Sequence, residues 1–239
     1  LISLLLLCVL QHFLHAQTGP GGVGNSSSNK IWLSADAGII TAGSDNRVGI
    51  WLDQSGNKFD AVQSWPGNKP AYEANGINGL PYIHFDRTSA IQYLELTTVG
   101  IRDLITYNHT MFVVGRANSG GINSTETNQG FLVVPGYHSG IGVSGYPETT
   151  TAFMTHWVGV WHNGKPTRQI SINTSLSQGS WNIFSRRMAQ NSNGVTQTGY
   201  LNGNLFGSVS DPLLMTNYSP QLMRIGTGST SGINPWALN

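Results

Sequence analysis

The chain has 239 residues, of which 39% are hydrophobic and only 10% are charged. A hydrophobic share of this size supports a sizeable core and excludes a fully disordered chain. The abundant glycine, asparagine, serine and threonine favour turns and strand surfaces, so the composition argues against a helical bundle. The formal net charge is +1, which provides no broad field to attract nucleic acid or an anionic membrane.

The first sixteen residues differ in composition from the rest of the chain. Leu1 to Leu10 form an apolar run that is too short to span a bilayer as a helix, and Ala16 fits a signal-peptidase site. Residues 1–16 are therefore predicted to be a secretory signal peptide that is incomplete at its N-terminus. The protein is accordingly expected to be secreted or at the cell surface, with no transmembrane segment. Cys8 is the only cysteine, so the mature chain would carry no disulfide.

Beyond the signal peptide, the pattern changes from a linker to predicted strands. Residues 17–29 are rich in glycine, serine and asparagine and are predicted to be a linker. From Lys30 onward, short apolar runs alternate with turn signals about eight to twelve residues apart, a spacing typical of a β-sandwich or barrel. The predicted strands are Ile31–Leu33, Val48–Leu52, Tyr82–Phe85, Ile91–Leu96, Met111–Val114, Phe131–Val134, His156–Trp161, Ile170–Ile172, Val195–Leu201 and Leu222–Ile225. Asn-Gly pairs suited to hairpin turns begin at Asn75, Asn78, Asn163, Asn193 and Asn202.

Several short motifs occur in the order found in one family. They are IWLSADAG at 31–38, WLDQSGN at 51–57, NGINGLP at 75–81, HWVGV at 156–160 and YLNG at 200–203. Taken together they resemble a bacterial concanavalin A-like, laminin-G-like jelly-roll domain, which includes lectins and glucanases. The resemblance implies an all-β sandwich of two antiparallel sheets that binds carbohydrate or protein, with calcium in some members.

The resemblance also bears on domain organisation. Residues 30–239 are expected to form one jelly-roll sandwich domain within a larger bacterial surface protein, alongside further domains of the same longer polypeptide. In the family, a further strand usually follows a motif like Arg224-Ile225-Gly226. The domain is therefore expected to be truncated before its last strand.

Aromatic residues on predicted loops are the best candidates for contacting a sugar. Trp65, Tyr137 with His138, and Tyr146 all lie between turn signals. A sugar presents an apolar face to an aromatic ring, while its hydroxyl groups seek amides and carboxylates. These four residues are predicted to bind a polysaccharide or glycoprotein ligand. The tryptophans in apolar alternation are predicted to belong to the fold instead: Trp32, Trp51, Trp157, Trp161 and Trp181.

One stretch carries oxygen-bearing side chains at alternate positions, namely Asp53, Ser55 and Asn57, with Asp60 following. The spacing does not match an EF-hand loop, because position six is Lys58 rather than glycine. The favoured interpretation is a tight turn in which Asp53 accepts hydrogen bonds from backbone amides. A calcium site formed by Asp53, Asn57 and Asp60 stays open as the alternative, and no other cofactor is expected.

Recognisable catalytic patterns are missing from the sequence. Glycosidases need two carboxyl groups roughly 5–10 Å apart, and the best pair by neighbourhood is Asp86 and Glu95, whose geometry nothing in the sequence fixes. The GIGVSG segment at 140–145 matches a dinucleotide motif but is predicted to be a turn. We therefore expect a non-catalytic carbohydrate-binding or adhesion module. A glycan hydrolase on the same fold and a structural spacer domain are the alternatives.

Overall fold

The computed structural model describes residues 19–86, 92–96, 108–116, 128–134, 139–146, 149–158, 168–177, 179–213 and 223–226. The strands in these ranges are β1 (Ile39–Thr41), β2 (Val48–Trp51), β3 (Ala61–Val62), β4 (Ala71–Glu73), β5 (Tyr82–His84), β6 (Leu94–Leu96), β7 (His109–Arg116), β8 (Asn128–Val134), β9 (Ser139–Tyr146), β10 (Thr149–Val158), β11 (Arg168–Leu176), β12 (Trp181–Asn191), β13 (Gly194–Leu201), β14 (Asn204–Asp211) and β15 (Met223–Ile225). Single turns of 3-10 helix lie at Pro20–Gly22, Pro66–Asn68 and Ile77–Gly79. No helix in the described ranges is long and apolar enough to cross a bilayer.

The strands form a sandwich of two sheets with a small hairpin beside it. The large sheet has the order β1-β2-β3-β6-β15-β8-β9-β10-β11, and the small sheet has the order β14-β13-β12-β7. Strands β4 and β5 pair with each other as a separate hairpin. The pairings between the described strands are antiparallel. The predicted all-β fold with two antiparallel sheets is therefore confirmed.

The hydrophobic core lies between the two sheets. Met154 pairs with Ile141 on one side and Ile172 on the other, so these three side chains form a row on the inner face of the large sheet. They share one buried cluster with Phe184 of the small sheet. Gly199 allows the sheets to approach closely there, because a Cβ at this position would lie 2.6 Å from the Ile172 Cδ1 atom.

The inner face of the small sheet also buries polar groups. Arg186 on β12 is fully buried between Phe184 and Met188, which occupy the alternate inward positions. Gln197 on β13 is fully buried as well, and its Nε2 donates to the Met154 carbonyl at 3.0 Å. Polar residues at inward positions break the apolar alternation of a strand. The sequence pattern therefore does not predict β12.

Two local predictions are wrong. Residues 31–33 do not form a strand, although Ile31 and Leu33 pack against the core. The segment 140–145 lies within β9 rather than in a turn, because β8 and β10 pair with it on both sides and complete its backbone hydrogen bonds. Ile141 is buried among its glycines, so even a glycine-rich segment contributes an inward-facing apolar side chain.

Candidate functional site

Trp65 lies in the turn between β3 and β4, and 72% of its surface is exposed. Its backbone N–H donates to Gln63 Oε1 at 3.0 Å, and Pro66 then begins a single turn of 3-10 helix. Two bonds fix the turn to the chain entering β6: Gln63 Nε2 donates to the Tyr93 carbonyl, and the Tyr93 N–H donates to the Asn68 carbonyl, each at 3.1 Å. The structure thus presents an exposed indole on a well-bonded turn.

The other predicted ligand residues are less completely placed. Tyr137 and His138 lie outside the described residues. Tyr146 is the last residue of β9 and pairs with Thr149 of β10, so it lies at the end of a strand rather than on the predicted loop. Its side chain also lies outside the described part. The combined ligand site of Trp65, Tyr137, His138 and Tyr146 therefore stays a prediction.

An ion pair lies on the large sheet beside the Trp65 turn. Glu95 Oε2 accepts hydrogen bonds from Arg224 Nε at 2.8 Å and Nη2 at 2.7 Å. The guanidinium carbon of Arg224 also lies 4.3 Å from the centre of the Tyr93 ring. Asp86, the other carboxylate of the predicted pair, follows β5, where its N–H donates to Gln92 Oε1 at 2.6 Å. Glu95 is therefore held by an arginine of the neighbouring strand.

Asp53 is the acceptor at the centre of a tight turn. Its Oδ1 accepts from the N–H groups of Trp32 at 2.8 Å and Ser55 at 3.0 Å. Its Oδ2 accepts from the Ser55 hydroxyl at 2.7 Å and the Phe59 N–H at 3.1 Å. The predicted turn, in which Asp53 bonds backbone amides, is confirmed.

The remaining members of the predicted calcium set also make hydrogen bonds within the protein. Asp60 Oδ1 accepts from the Asp53 N–H at 2.8 Å. The Asn57 amide donates to backbone carbonyls of the preceding segment, which belong to Ser26, Asn29 and Lys30. Within the described ranges, no group of three or more histidine, cysteine, aspartate or glutamate side chains is placed to hold a metal. Calcium binding by Asp53, Asn57 and Asp60 stays a prediction.

The small sheet exposes apolar side chains on its outer face, the surface that points away from the large sheet. Phe112 and Val114 of β7 are 70% and 60% exposed and pair with Ser185 and Ile183 of β12. Ile183 is exposed too, and Leu205 of β14 is 62% exposed. Contiguous exposed apolar side chains commonly mark a binding surface.

Two aromatic rings meet at right angles at one end of this outer face. Trp181, the first residue of β12, pairs with Arg116, the last residue of β7. The Tyr82 ring of β5 packs edge-on against Trp181, with ring centres 5.5 Å apart and planes inclined by 83°. The guanidinium carbon of Arg116 lies 5.3 Å from the Trp181 ring centre and 6.0 Å from that of Tyr82. We call Tyr82, Arg116 and Trp181 the aromatic corner.

Local backbone geometry holds the Tyr82 ring in place. The Gly76 N–H donates to the Leu80 carbonyl at 2.7 Å and closes the loop that leads into β5. This loop lies so close to the ring that a Cβ at Gly76 would be 2.7 Å from Tyr82 Cδ1. His84 lies on the same side of β5, with its ring centre 6.4 Å from that of Tyr82. The aromatic corner is therefore built on paired strands and a tightly packed loop.

The polar side-chain atoms of the aromatic corner have no partners among the described residues. The Arg116 guanidinium forms no ion pair there, and the Trp181 indole N–H and the Tyr82 hydroxyl form no hydrogen bond. All three side chains are partly exposed. The arrangement can therefore stack on the apolar face of a small polar ligand while its donors bind the rim of that ligand.

The sequence does not single out the aromatic corner. Trp181 is predicted to belong to the fold, and its strand is one that the pattern misses. One signal in the sequence could have revealed the apolar outer face. The run Met111–Val114 is apolar at every position, whereas a strand with one solvent-exposed face alternates between apolar and polar residues. Met111 and Val113 pack against the core, which leaves Phe112 and Val114 outside.

Comparison with known proteins identifies a fold but no family. No family model and no curated protein matches the chain. A solved structure that it resembles is the binding domain of Paraclostridial Mosquitocidal Protein 1, with a TM-score of 0.50 and 15% identity over 87% of this chain. The matched region is 47% of that structure, so this chain spans about half its length. At such low identity the likeness shows the fold alone.

Two further solved structures are more distant. The botulinum neurotoxin serotype G binding domain matches with a TM-score of 0.40 and 13% identity over 73% of this chain and 43% of its own. An endo-β-1,4-glucuronan lyase from the fungus Trichoderma reesei matches with a TM-score of 0.38 and 10% identity, over 69% and 76%. Neither likeness is close enough to inform function. The finding that stands is an all-β sandwich.

Proposed function

We propose that the chain is a non-catalytic carbohydrate-binding module whose aromatic corner contacts the sugar. The carrying observation is the pair of partly exposed rings at right angles, with an arginine beside both of them. One ring can stack on the apolar face of a sugar while the indole N–H, the phenol and the guanidinium bind its hydroxyl groups. The similar mosquitocidal structure is named a binding domain, which agrees with a binding role.

The cellular setting is part of the same proposal. The predicted signal peptide and the family resemblance support an exported module of a larger bacterial surface protein, where polysaccharide or glycoprotein ligands occur. Calcium is proposed only as an accessory ion at the Asp53 turn, remote in sequence from the aromatic corner. A single shallow site with few polar anchors gives micromolar to millimolar dissociation constants, about −8 to −4 kcal/mol.

The test is a glycan array followed by calorimetric titration of the best ligand, with calcium and with EDTA. Trp181→Ala should weaken binding about tenfold or more, because it removes one of the two rings. Trp65→Ala is the matched control, since it deletes an exposed indole from a different part of the molecule. Trp181→Phe keeps an aromatic ring. It should retain most of the affinity if Trp181→Ala loses affinity because the stacking ring is gone, and not because the variant misfolds.

The possible results separate the proposals clearly. Binding that is lost in Trp65→Ala and kept in Trp181→Ala would place the sugar at the predicted loop site and contradict the aromatic corner. No binding to any glycan would favour the structural spacer. Release of reducing ends from a polysaccharide panel would contradict the non-catalytic assignment and support a glycan hydrolase.

Adhesion to a protein ligand is the second candidate function, and the exposed apolar side chains of the outer face favour it. Phe112 and Leu205 are each more than 60% exposed and carry no polar atoms for a sugar to bind. If a glycoprotein is the ligand, Phe112→Ser should weaken binding to the intact glycoprotein but not to its released glycan. Equal loss with both ligands would argue against a protein contact at this position.

A further inference from the structure

We infer that the aromatic corner selects acidic sugars, with the Arg116 guanidinium binding the carboxylate of the sugar. This inference rests on the proposed function and adds to it the chemical class of the ligand. Neutral sugars would be bound more weakly at the same place, through the rings and hydroxyl groups alone.

The first argument compares two arginines that both lie against aromatic rings. Arg224 lies 4.3 Å from the Tyr93 ring centre, and the chain supplies Glu95 as its carboxylate. Arg116 lies against two rings, yet no described residue supplies a carboxylate. Arg224 therefore shows an arginine that lies against a ring and is paired with a carboxylate from the same chain. Among the described residues, none fills the corresponding position at the aromatic corner.

The second argument concerns preorganisation. The rings of Trp181 and Tyr82 restrict the guanidinium before any ligand arrives, so less side-chain entropy is lost on binding. A guanidinium presents several N–H donors in a planar fork that matches a carboxylate with two parallel bonds. Charge-assisted bonds of this kind typically strengthen binding about tenfold to a hundredfold. An ammonium group cannot offer the same fork, so lysine would be a poorer substitute.

Glu73 sets a limit on the negative charge that the site tolerates. It pairs with Tyr82 across the β4–β5 hairpin, and directly paired residues on antiparallel strands lie on the same face. Glu73 makes no ion pair with Arg116 in the structure. Its carboxylate can accept bonds from sugar hydroxyl groups, but it repels additional anionic groups. A sugar with one carboxylate fits this arrangement better than a densely charged chain.

The experiment measures paired ligands that differ only in charge or in the acidic sugar. The pairs are galacturonate with its methyl ester, and sialyllactose with lactose, so each acidic member carries one carboxylate. Each sugar is titrated into the full chain by calorimetry. We compare Arg116→Gln with Arg187→Gln, which removes an equal charge from an exposed position on the same outer face. Arg187 is six residues from Trp181 along β12, about 20 Å away. Arg116→Lys keeps the charge and tests whether the planar guanidinium is needed. Melting curves show whether each variant folds.

The wild-type chain should bind the acidic member of at least one pair about tenfold or more tightly than the neutral member. Arg116→Gln should abolish that preference, and Arg116→Lys should keep only part of it. Arg187→Gln should change the affinity for the acidic and for the neutral member by no more than about twofold. Glu73→Gln should tighten binding of the acidic member alone.

Two results would overturn the inference while leaving the proposed function intact. One is equal binding of both members of every pair, and the other is an acidic preference that survives in Arg116→Gln. If neither member of any pair binds and the array is also empty, the proposed function itself fails, and the inference fails with it. If Arg116→Gln does not fold, Arg116→Lys and Glu73→Gln decide instead. The inference then requires that Arg116→Lys weakens binding of the acidic member and that Glu73→Gln tightens it.

Discussion

Substitution of Asp53 by alanine should destabilise the protein substantially, although no core side chain is touched. The carboxylate accepts from three backbone N–H groups, those of Trp32, Ser55 and Phe59. It also accepts from the Ser55 hydroxyl, which can rotate to another partner. The backbone groups cannot move so freely. Alanine therefore leaves three N–H donors without their acceptor.

The magnitude follows from the number of donors and their partial burial. An unsatisfied buried donor costs about 1–3 kcal/mol, and we take about 1 kcal/mol for each because water reaches part of this turn. Three donors then cost about 3 kcal/mol of unfolding free energy. For a chain of this size, each kcal/mol shifts the melting temperature by about 2–4 °C. Asp53→Ala should therefore melt about 6–12 °C below the wild type.

The assay is thermal melting followed by circular dichroism, in EDTA and in millimolar calcium. Asp53→Asn keeps one acceptor oxygen and should lose less than the alanine variant. Asp45→Ala is the matched control, because Asp45 accepts an exposed bond from the Arg47 N–H at 3.2 Å and should cost little. An Asp53→Ala variant that melts within 2 °C of Asp45→Ala would refute the reasoning. Calcium that stabilises the wild type but not Asp53→Ala would identify Asp53 as a metal ligand.

Three further predictions concern stability. Gly199→Ala should lower the unfolding free energy by about 1–3 kcal/mol in urea titrations, because the added methyl group collides with Ile172; an unchanged midpoint would mean that the sheets can separate freely. Glu95→Ala should lower the unfolding free energy by about 1–3 kcal/mol by calorimetry, since it removes a hydrogen-bonding carboxylate from a mostly buried Arg224, and high salt should not reproduce the effect. Trp65→Ala should change the unfolding free energy by less than about 0.5 kcal/mol, because the side chain is 72% exposed; a larger loss would show that the indole packs against the protein.

The Asn-Gly pairs show how far local chemistry predicts the turns. Asn202-Gly203 forms the two-residue loop between β13 and β14, with φ angles of 52° and 81°, as the sequence predicts. Asn78-Gly79 also has positive φ angles, but it lies inside the longer loop between β4 and β5. Gly76, which follows Asn75, has a negative φ of −107°, and its loop lies against the Tyr82 ring. The dipeptide thus predicts conformational tolerance, and strand pairing decides whether a hairpin uses it.

The candidate site was less predictable than the turns, for a different physical reason. Tyr82, Arg116 and Trp181 come from three strands that are distant in the sequence. They meet only because β7 pairs with β12 in one particular register and the β4–β5 hairpin packs at the end of that pair. No local pattern encodes such a meeting. Trp65, by contrast, lies three residues after the end of β3 and directly before a Pro-Gly turn, so its exposure could be predicted from its neighbours alone.

The close approach of the two sheets at Gly199 has a consequence for the evolution of this protein. A Cβ there would lie 2.6 Å from both Ile172 Cδ1 and Phe206 Cζ. The three positions share one small volume, although they come from β11, β13 and β14. Among homologous sequences, a larger residue at position 199 should therefore occur together with a smaller one at position 172 or 206. These positions should covary across the sandwich, whereas the exposed residues of the outer face should vary independently of them.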